Sequence, residues 1–321
     1  MKKLFFFLMI ALMAMNANAK VWRLNNNPGI SADFNNWAAA YAAASAGDTI
    51  YIEGSLSSYG NITLNKPLII IGAGYFLDQN LNTQKYPYYA SIVNYVYVNI
   101  GSEGSYISGL TFNNDIQIYC QNISIVRNYF PSSSINFSQS NTIIKQNYIT
   151  GCILTNTKSN NNIIKNNVVR GSYYPLNLGD SCIALISNNN LYGYYCCNKS
   201  NNCIYTNNII QNLSFYNINN NTFSHNICDY SQLPVGNGNQ LNVNMSTVYV
   251  GTGTSDGQWQ LKVGSPAIGA GIGGTDCGIF GGDEPYVLSG MPGIPSVYVM
   301  TTSGMGNNST GLNMHVKAKA H

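Results

Sequence analysis

The chain has 321 residues, a formal net charge of +3 and only 8% charged residues. This balance argues against nucleic acid as a partner, because phosphate binding needs a basic patch, and it offers no strong field to attract a polyanionic glycan. The polar residues are mostly amides and hydroxyls, which is more typical of a β-rich extracellular protein than of a cytosolic helical one.

Residues 1–19 have the form of a secretory signal peptide. Lys2 and Lys3 precede an apolar run from Leu4 to Met15, and Ala17-Asn18-Ala19 supplies small residues for cleavage. The run is too short to span a bilayer, which needs about 20 apolar residues, and no later segment is long and apolar enough. We therefore predict an exported protein (secreted, periplasmic or at the cell surface) with no membrane span.

Residues 20–48 are predicted to form an N-terminal cap that contains a helix. Ser31 is the candidate N-cap and Gly47 the residue that ends the helix. Its apolar face would be formed by Phe34, Trp37, Ala38, Tyr41 and Ala42. Two strands are then predicted over 49–53 and 68–71.

Between residues 122 and 228 the chain repeats one phrase of about 20 residues. An Asn is followed after three residues by an apolar residue, after six by a second Asn and after eight by another apolar residue, as in Asn122-Ile-Ser-Ile-Val-Arg-Asn128-Tyr-Phe130. The second Asn recurs at intervals of 19, 20, 22, 18 and 19 residues. These anchors are Asn128, Asn147, Asn167, Asn189, Asn207 and Asn226.

A period of about 20 residues is what one coil of a parallel β-helix needs for three strands and three turns. Each strand would pair with its equivalent one coil away, at about 4.8 Å. The anchor amides would then bond to one another as a buried ladder. We predict an all-β chain with coils over 49–235 and a C-terminal cap of loops and terminal strands over 236–321.

The Asn-anchored coils resemble, over about residues 49–230, the pectate-lyase-like superfamily of right-handed, single-stranded parallel β-helices. Arg23-Leu-Asn-Asn-Asn-Pro28 and Gly47-Asp-Thr-Ile-Tyr-Ile-Glu-Gly54 resemble the start of many secreted bacterial β-helix proteins. Ser265-Pro-Ala-Ile-Gly-Ala-Gly271 and Asp276-Cys-Gly-Ile-Phe-Gly281 resemble their closing segment. The resemblance implies the fold but no single function, because the group includes lyases, hydrolases, adhesins and surface proteins.

Acidic residues are too few and too scattered for the sites that such enzymes use. Lyases of this fold cluster acidic calcium ligands near a basic residue, and calcium needs several oxygen ligands close together. Between residues 110 and 229 only Asp115, Asp180 and Asp229 are acidic, and they occupy different positions relative to their anchors. Nor can a hydrolytic carboxylate pair be named. We expect no metal and no cofactor, with calcium relevant only to a lyase.

Basic residues are better ordered. Lys145 and Lys165 both lie two residues before their anchors and should stack on adjacent coils, and Arg170 flanks the next strand. With Asp180 they are the catalytic candidates of an atypical lyase or hydrolase site. A solvated face that keeps the rod soluble also explains the lysines, and we favour that interpretation.

Tyrosines form the second ordered group. Tyr129 and Tyr148 both follow an anchor directly, and five more lie in two neighbouring turns: Tyr173, Tyr174, Tyr192, Tyr194 and Tyr195. Aromatic rings with amides and hydroxyls suit neutral sugars, so these seven are candidate ligand-binding residues. The alternative is that tyrosine is present because it favours strands.

The eight cysteines allow two interpretations. Export permits disulfides, and Cys196, Cys197 and Cys203 are close enough in sequence for a local bridge, whereas several of the eight could equally be small apolar fillers. No C-x-x-C pair occurs and histidine is scarce, so a zinc site is not expected.

The C-terminal region loses the phrase. Gly and Pro accumulate over 251–295, which predicts loops over the last coil. Alternation from Leu312 to Lys319 predicts a half-buried strand that pairs with Val297–Met300 or adds to a partner's sheet edge.

Three functions remain open from the sequence. We favour an exported, non-catalytic β-helix that binds extracellular polysaccharide or a surface protein. The alternatives are a polysaccharide lyase or glycoside hydrolase with an atypical site on the β-helix face, and a purely structural rod. The oligomeric state is not predicted.

Overall fold

The computed structural model describes residues 19–83, 89–155, 157–171, 173–179, 181–212, 214–216, 219–253, 256–302, 304, 306, 309 and 311–320. Within these residues the chain is a parallel β-helix with a helix near its start and a long C-terminal segment, so the predicted fold class is confirmed. No helix of this part of the chain is long and apolar enough to cross a membrane. The predicted signal sequence, up to residue 18, lies outside the described residues.

The described residues form one α-helix, α1 (Trp37–Ala43), and 28 strands. The strands are β1 (Val21–Leu24), β2 (Thr49–Ile52), β3 (Ile62–Leu64), β4 (Ile69–Ile71), β5 (Ser91–Val93), β6 (Val96–Val98), β7 (Tyr106–Ser108), β8 (Leu110–Phe112), β9 (Ile116–Ile118), β10 (Ser124–Val126), β11 (Tyr129–Phe130), β12 (Ile135–Phe137), β13 (Ile143–Lys145), β14 (Tyr148–Ile149), β15 (Ile153–Leu154), β16 (Ser159–Lys165), β17 (Val168–Val169), β18 (Leu176–Asn177), β19 (Cys182–Ser187), β20 (Asn190–Tyr192), β21 (Tyr195–Asn198), β22 (Ile204–Thr206), β23 (Ile209–Gln211), β24 (Ser214–Tyr216), β25 (Thr222–Ser224), β26 (Ile227–Cys228), β27 (Ser296–Thr302) and β28 (Met314–Lys319).

Three parallel sheets form the walls of the rod. Sheet A has ten strands in the order β1-β2-β4-β7-β10-β13-β16-β19-β22-β25. Sheet B has eight, β5-β8-β11-β14-β17-β20-β23-β26, and sheet C has eight, β3-β6-β9-β12-β15-β18-β21-β24. A typical coil passes through β10, β11 and β12 before β13 begins the next coil. Each strand therefore pairs with the strand three positions later in the chain.

Inward side chains line up in columns because equivalent residues pair in register. In sheet A, Ile107, Ile125, Ile144 and Ile164 are successive partners, and each is at most 1% exposed. In sheet B, the rings of Phe112 and Phe130 stack at 4.3 Å. Each such buried side chain stabilises the fold by about 1.5–3 kcal/mol, but only once the neighbouring coil is in place.

A ladder of buried asparagines runs along one corner of the core. The Asn167 amide nitrogen donates to Asn189 Oδ1 at 3.0 Å, and its Oδ1 accepts from the Asn147 amide at 3.0 Å. Each ladder amide also donates to a backbone carbonyl one coil back, as Asn167 does to Ile144 at 2.8 Å. The ladder comprises Asn128, Asn147, Asn167, Asn189, Asn208, Asn226 and Asn239.

The predicted ladder residue Asn207 is therefore wrong by one position. Asn208 bonds to Asn189 and Asn226, whereas Asn207 adopts the left-handed conformation, with φ 57°. In this coil the phrase starts at Asn202, and the adjacent Asn207-Asn208 pair made the wrong anchor look plausible. Asn239 extends the ladder beyond the predicted end.

The residue before each of the first six ladder asparagines turns the chain, and these six residues have φ between 53° and 57°. They are Arg127, Gln146, Asn166, Asn188, Asn207 and His225, and we call them the turn column. A left-handed residue turns its side chain away from the core, and asparagine tolerates this conformation better than most residues. The side chains of the turn column can consequently form hydrogen bonds with a segment that lies outside the coils.

The helix α1 begins later than predicted. Its N-cap is Asn36, whose Oδ1 accepts a hydrogen bond from the Ala39 amide at 2.9 Å, and not Ser31. Trp37 and Ala40 are buried in the same core as Leu24 and Ile50, so the helix covers the N-terminal end of the rod. It ends at Ala43, before Gly47, because the backbone becomes extended at Ala44.

The C-terminal segment does more than cover the last coil. Residues 243–291, which we call the return segment, lie along the outer face of sheet B. They reach Asn80 at Asp256, come back to Asn207 at Ile272 and then run to the N-terminal coils again at Met291. The turn column binds their backbone on the way: Asn188 donates to Asp276 O, Asn166 to Gly281 O at 2.8 Å, and Gln146 to Pro285 O at 2.7 Å. At the far end Arg127 donates to Met291 O at 2.9 Å.

A second hydrophobic core lies between the return segment and the outside of sheet B. It includes Tyr148, Val168 and Ile209 from the sheet, and Trp259 and Ile279 from the return segment. Parallel strands are usually covered on both faces, and here one stretch of chain supplies the outer cover.

A buried polar network fastens the far end of the return segment. Asp256 Oδ2 accepts from the Ser289 amide at 2.6 Å, and Oδ1 accepts from Asn80 at 2.7 Å. The hydroxyls of Tyr75 and Tyr286 meet at 2.6 Å beside it. Burial raises the pKa of Asp256, although the bonds from Asn80 and Ser289 act in the opposite direction.

The described cysteine side chains are thiols, and most of them fill apolar space. Cys120, Cys182 and Cys228 lie in the main core and Cys277 in the second core. Cys203 Sγ donates to Cys182 O at 3.4 Å. The side chains of Cys196 and Cys197 lie outside the described residues. Burial raises the pKa of Cys182 to about 11 and of Cys277 to about 12, so both stay protonated at neutral pH.

We predict that Asn167→Leu destabilises the fold by about 2–5 kcal/mol, because it leaves Ile144 O and the Asn147 amide with unmet hydrogen bonds in the core. Urea unfolding followed by circular dichroism measures the loss. Asn113→Leu removes an exposed amide–amide bond to Asn94 and is the matched control, expected within about 0.5 kcal/mol of the wild type. Equal stabilities of the two variants would contradict a structural role for the ladder.

Candidate functional site

A groove lies where the chain passes from sheet B to sheet C. It consists of two contiguous depressions of about 530 and 450 Å³ that share Thr150 and Gly171. We call it the tyrosine groove. It opens on the side of the rod that the return segment leaves uncovered.

A column of glycines forms the floor of the groove. Gly151, Gly171 and Gly193 each lie four residues after a ladder asparagine, and so occupy the same position on successive coils. A Cβ at Gly151 would lie 2.1 Å from Ser133 O, and one at Gly193 would lie 2.5 Å from Gly171 O. The neighbouring coils carry Ser132 and Asn212 at this position, so the bare floor covers three coils, or about 10 Å.

Tyrosine rings form one wall. The rings of Tyr173 and Tyr194 are nearly parallel, with 5.9 Å between centroids and 12° between planes, and Tyr174 meets Tyr173 edge-on at 4.6 Å. Tyr173 is 52% and Tyr194 65% exposed. The outer face of this exposed, stacked pair is apolar and of the size of a sugar ring.

Arg170 supplies the positive charge in the groove. Its guanidinium lies between two rings, 5.4 Å from the Tyr192 centroid and 5.3 Å from that of Trp259. Such cation–π contacts hold an arginine in place without neutralising it. No ion pair of the described residues involves Arg170, and its buried Nε makes no hydrogen bond within them.

The remaining lining is polar and uncharged. Thr150, Asn177 and Asn212 lie around the floor, and no Asp or Glu is among the described residues that line the groove. The groove therefore combines aromatic faces, amides, hydroxyls and one cation.

Five of the seven predicted ligand-binding tyrosines belong to this region of the sequence, and the structure brings four of them together: Tyr173, Tyr174, Tyr192 and Tyr194 line the groove. For Tyr195 only the backbone, in β21, is described. Asp180, one of the catalytic candidates, lies outside the described residues.

Tyr129 and Tyr148 do not form an exposed sugar-binding surface. They pair in register as predicted, but Tyr148 is only 3% exposed, and both rings pack against Phe76 in the second core. Trp259 lies above them, with its Nε1 3.5 Å from the Tyr148 hydroxyl. Their exposure was wrongly predicted because the covering residues come from a distant part of the chain.

The lysine pair does not join Arg170 in a catalytic cluster. Lys145 and Lys165 stack on adjacent coils of sheet A, as predicted, but they form ion pairs with the return segment. Lys145 binds Glu284, and Lys165 binds Asp283 and, at 3.6 Å, Glu284. These contacts lower the pKa of Asp283 and Glu284. The two lysines therefore hold the return segment against the coils by ion pairs.

The described aspartates in the coils also have hydrogen-bond partners within the protein. Asp115 accepts hydrogen bonds from the Ser134 amide and Asn136, and Asp229 accepts from the Asn212 amide and Gln232. In the described part of the chain, no group of three or more His, Cys, Asp and Glu side chains is placed to hold a metal ion.

The glycine floor and Trp259 were missed from the sequence. The glycines were detectable, because each follows its ladder asparagine at the same distance. Trp259 was not, because 89 positions separate it from Arg170 and no local pattern connects the two residues.

No protein-family model matches this chain, and comparison with curated proteins and with solved structures also returned no match. The interpretation of the groove therefore depends on its own geometry.

We predict that replacing Lys145 and Lys165 together with Met lowers the free energy of unfolding at pH 7 by about 1–2 kcal/mol, since partly exposed ion pairs contribute little. Because the pKa values of Asp283 and Glu284 are lowered in the folded state, this stabilisation is present above their unfolded pKa values, near 4, and is lost as pH falls below them. Urea unfolding at pH 7 and pH 3 should therefore show the variant and the wild type converging at low pH.

Asp256 has a raised pKa and contributes with the opposite sign, but it is present in both proteins and cancels from the difference. Lys158→Met with Lys262→Met removes the same charge from lysines outside these ion pairs and is the control. A difference between the lysine variant and the wild type that does not change with pH would contradict the ion-pair account.

Proposed function

We propose that this protein is exported and binds an extracellular glycan in the tyrosine groove without cleaving it. The observation that carries the proposal is the exposed, parallel Tyr173–Tyr194 pair beside a floor that cannot carry side chains. Sugar rings pack against aromatic faces, and their hydroxyls bond to amides and hydroxyls such as those of Asn177, Asn212 and Thr150. The resemblance to pectate-lyase-like β-helix proteins of bacterial surfaces is in keeping with this proposal.

The charge of the groove favours a particular class of glycan. Arg170 has no carboxylate partner among the described residues, and its Nε lacks a hydrogen bond. A carboxylate or sulfate on the glycan would supply an opposite charge to the guanidinium, whereas a neutral glycan would leave that charge unpaired. We therefore expect acidic glycans to bind more tightly than neutral ones of the same length.

Cleavage is not part of the proposal because the groove lacks a second reactive group. General acid–base chemistry on a glycosidic bond needs two groups on either side of it, usually carboxylates. In the described groove Arg170 is the one ionisable residue besides tyrosine and cysteine, and Lys145 and Lys165 point to the return segment. Arg170 also keeps a lyase as the second candidate function, with the arginine acting on a uronate.

Binding is tested with panels of neutral and acidic polysaccharides, with and without calcium, by affinity electrophoresis and calorimetry. We predict that Tyr173→Ala with Tyr194→Ala weakens binding about 10–100-fold, because each stacked ring contributes roughly 1 kcal/mol or more. The matched control is Tyr95→Ala with Tyr97→Ala, which removes another stacked pair, four coils along sheet C from the coil of Tyr173. Equal losses in both variants would contradict binding in the groove.

The same incubations decide between the candidate functions. New reducing ends accompanied by unsaturated ends would establish a lyase, and new reducing ends without unsaturation a hydrolase. Either result would overturn the non-catalytic proposal. Calcium-dependent cleavage lost in Arg170→Gln would place the lyase site in the groove. Neither binding nor cleavage of any glycan would favour the structural rod.

Export is tested separately by expression of the full chain in a Gram-negative bacterium. We predict that the mature protein begins at Lys20, which intact-mass measurement of the extracytoplasmic fraction can verify. Ala17→Leu with Ala19→Leu should block processing, because the cleavage positions need small residues. Cytoplasmic protein that retains residues 1–19 in the wild type would contradict export.

A further inference from the structure

The C-terminal hairpin forms a sheet of its own. β27 and β28 pair antiparallel, which is the first of the two predicted alternatives, from Ser296 opposite Lys319 to Thr302 opposite Met314. No third strand joins them within the described residues. Every described residue of β28 except Lys319 is exposed. Two strands alone are only marginally stable in water, so this hairpin would be stabilised by a further strand or by packing against another surface.

The hairpin has two chemically different faces. Register places Val297, Met300, Met314, Val316 and Ala318 on one face, and Met300 and Met314 are 60% and 53% exposed. The opposite face carries Ser296, Val299, Thr301, His315, Lys317 and Lys319. An exposed apolar sheet face of this kind is typical of a protein interaction surface.

The two edges differ in charge, and this difference selects the edge that can pair. β28 carries Lys317 and Lys319, and lysines on an edge strand oppose the approach of another strand. β27 has the sequence Ser-Val-Tyr-Val-Met-Thr-Thr, without a charged residue or a proline. Its free edge is therefore a template for a further strand.

We propose that β27 pairs with β27 of a second copy of this chain, forming a four-stranded sheet in the order β28-β27-β27-β28. Because β27 has a bulge between Val297 and Val299, regular pairing around a twofold axis is centred on Met300, which then lies opposite its own copy, and Val299 lies opposite Thr301 of the second copy. This arrangement brings the uncharged edges together and keeps the four edge lysines apart. It also joins the two apolar faces into one continuous surface.

A second copy fits this edge better than an acidic or basic partner would. From residue 285 to the end of the chain there is no Asp or Glu, so the hairpin offers no carboxylate to a basic strand. Its lysines are on the far strand, where an acidic strand added to β27 would not reach them. Pairing of β27 with a second β27 requires neither carboxylates nor lysines, because it depends on the main-chain hydrogen-bonding groups of an uncharged edge.

The test is sedimentation velocity of the mature protein from about 1 to 100 μM, without glycan. We expect a concentration-dependent dimer. Val299→Glu with Thr301→Glu should raise the dissociation constant about tenfold or more, because four carboxylates then meet across the axis. The hairpin itself should persist, since Glu at 299 and 301 would lie opposite Lys317 and His315.

The matched control is His315→Glu, which puts a carboxylate on β28 and should leave the dissociation constant within about threefold of the wild type. In a second measurement Met300→Cys should form an intermolecular disulfide under mild oxidation, because residues opposite each other across an antiparallel pair are within disulfide reach. His315→Cys should not form one.

A wild type that stays monomeric at 100 μM would overturn the proposal, as would a Val299 and Thr301 double variant that dimerises as well as the wild type. Preferential cross-linking of His315→Cys would overturn it too, because β28 would then be the pairing edge. Glycan binding by the groove can be measured in every variant, so failure of either idea is distinguishable from failure of the other.

Discussion

The stacking of one asparagine amide on the next is the interaction on which the rest of the structure depends. A buried amide has to find hydrogen-bond partners, and the equivalent residue of the next coil supplies them at the spacing of neighbouring strands. The requirement keeps successive coils in register. Once register is constant, every position in the coil becomes a column: isoleucines inside, the turn column at the corner, and glycines at the groove. The groove exists because a local sequence feature is repeated three times at constant height.

The return segment then decides which columns face solvent. Sheet B would otherwise present Tyr129, Tyr148 and Val168 to water, and the return segment converts that face into a second core. It stops short of the corner where sheet B meets sheet C, and there the same segment contributes Trp259 to the environment of Arg170. Cover and binding groove are thus produced by one stretch of chain, and a change in the packing of Trp259 alters both.

The sequence was informative where structure repeats along the chain. The period, the sheet fold, the stacking of Lys145 on Lys165 and the tyrosine cluster of the groove all follow from spacing, since a constant period converts distance along the chain into position in space. The exact ladder residue was harder to predict in one coil. Asn207 and Asn208 are both candidates there, and only the hydrogen-bond geometry distinguishes them. Burial of Tyr148 and the role of Lys165 as an ion-pair partner were not accessible, because both depend on residues more than 100 positions away that carry no repeat.

The path of the return segment also has a mechanical consequence. The chain leaves the last coil, travels back along the rod and departs near Arg127 and Tyr75, so the C-terminal hairpin is tethered beside the N-terminal half of the rod. A pull on the hairpin is therefore transmitted first to the contact of Arg127 with Met291 and then to the buried network around Asp256 and Ser289. The contacts of Asn166 and Asn188 lie behind it in series, and the final coils are loaded last. The return segment would then detach from the rod one turn-column contact at a time, while the asparagine ladder that holds the coils together would carry no load.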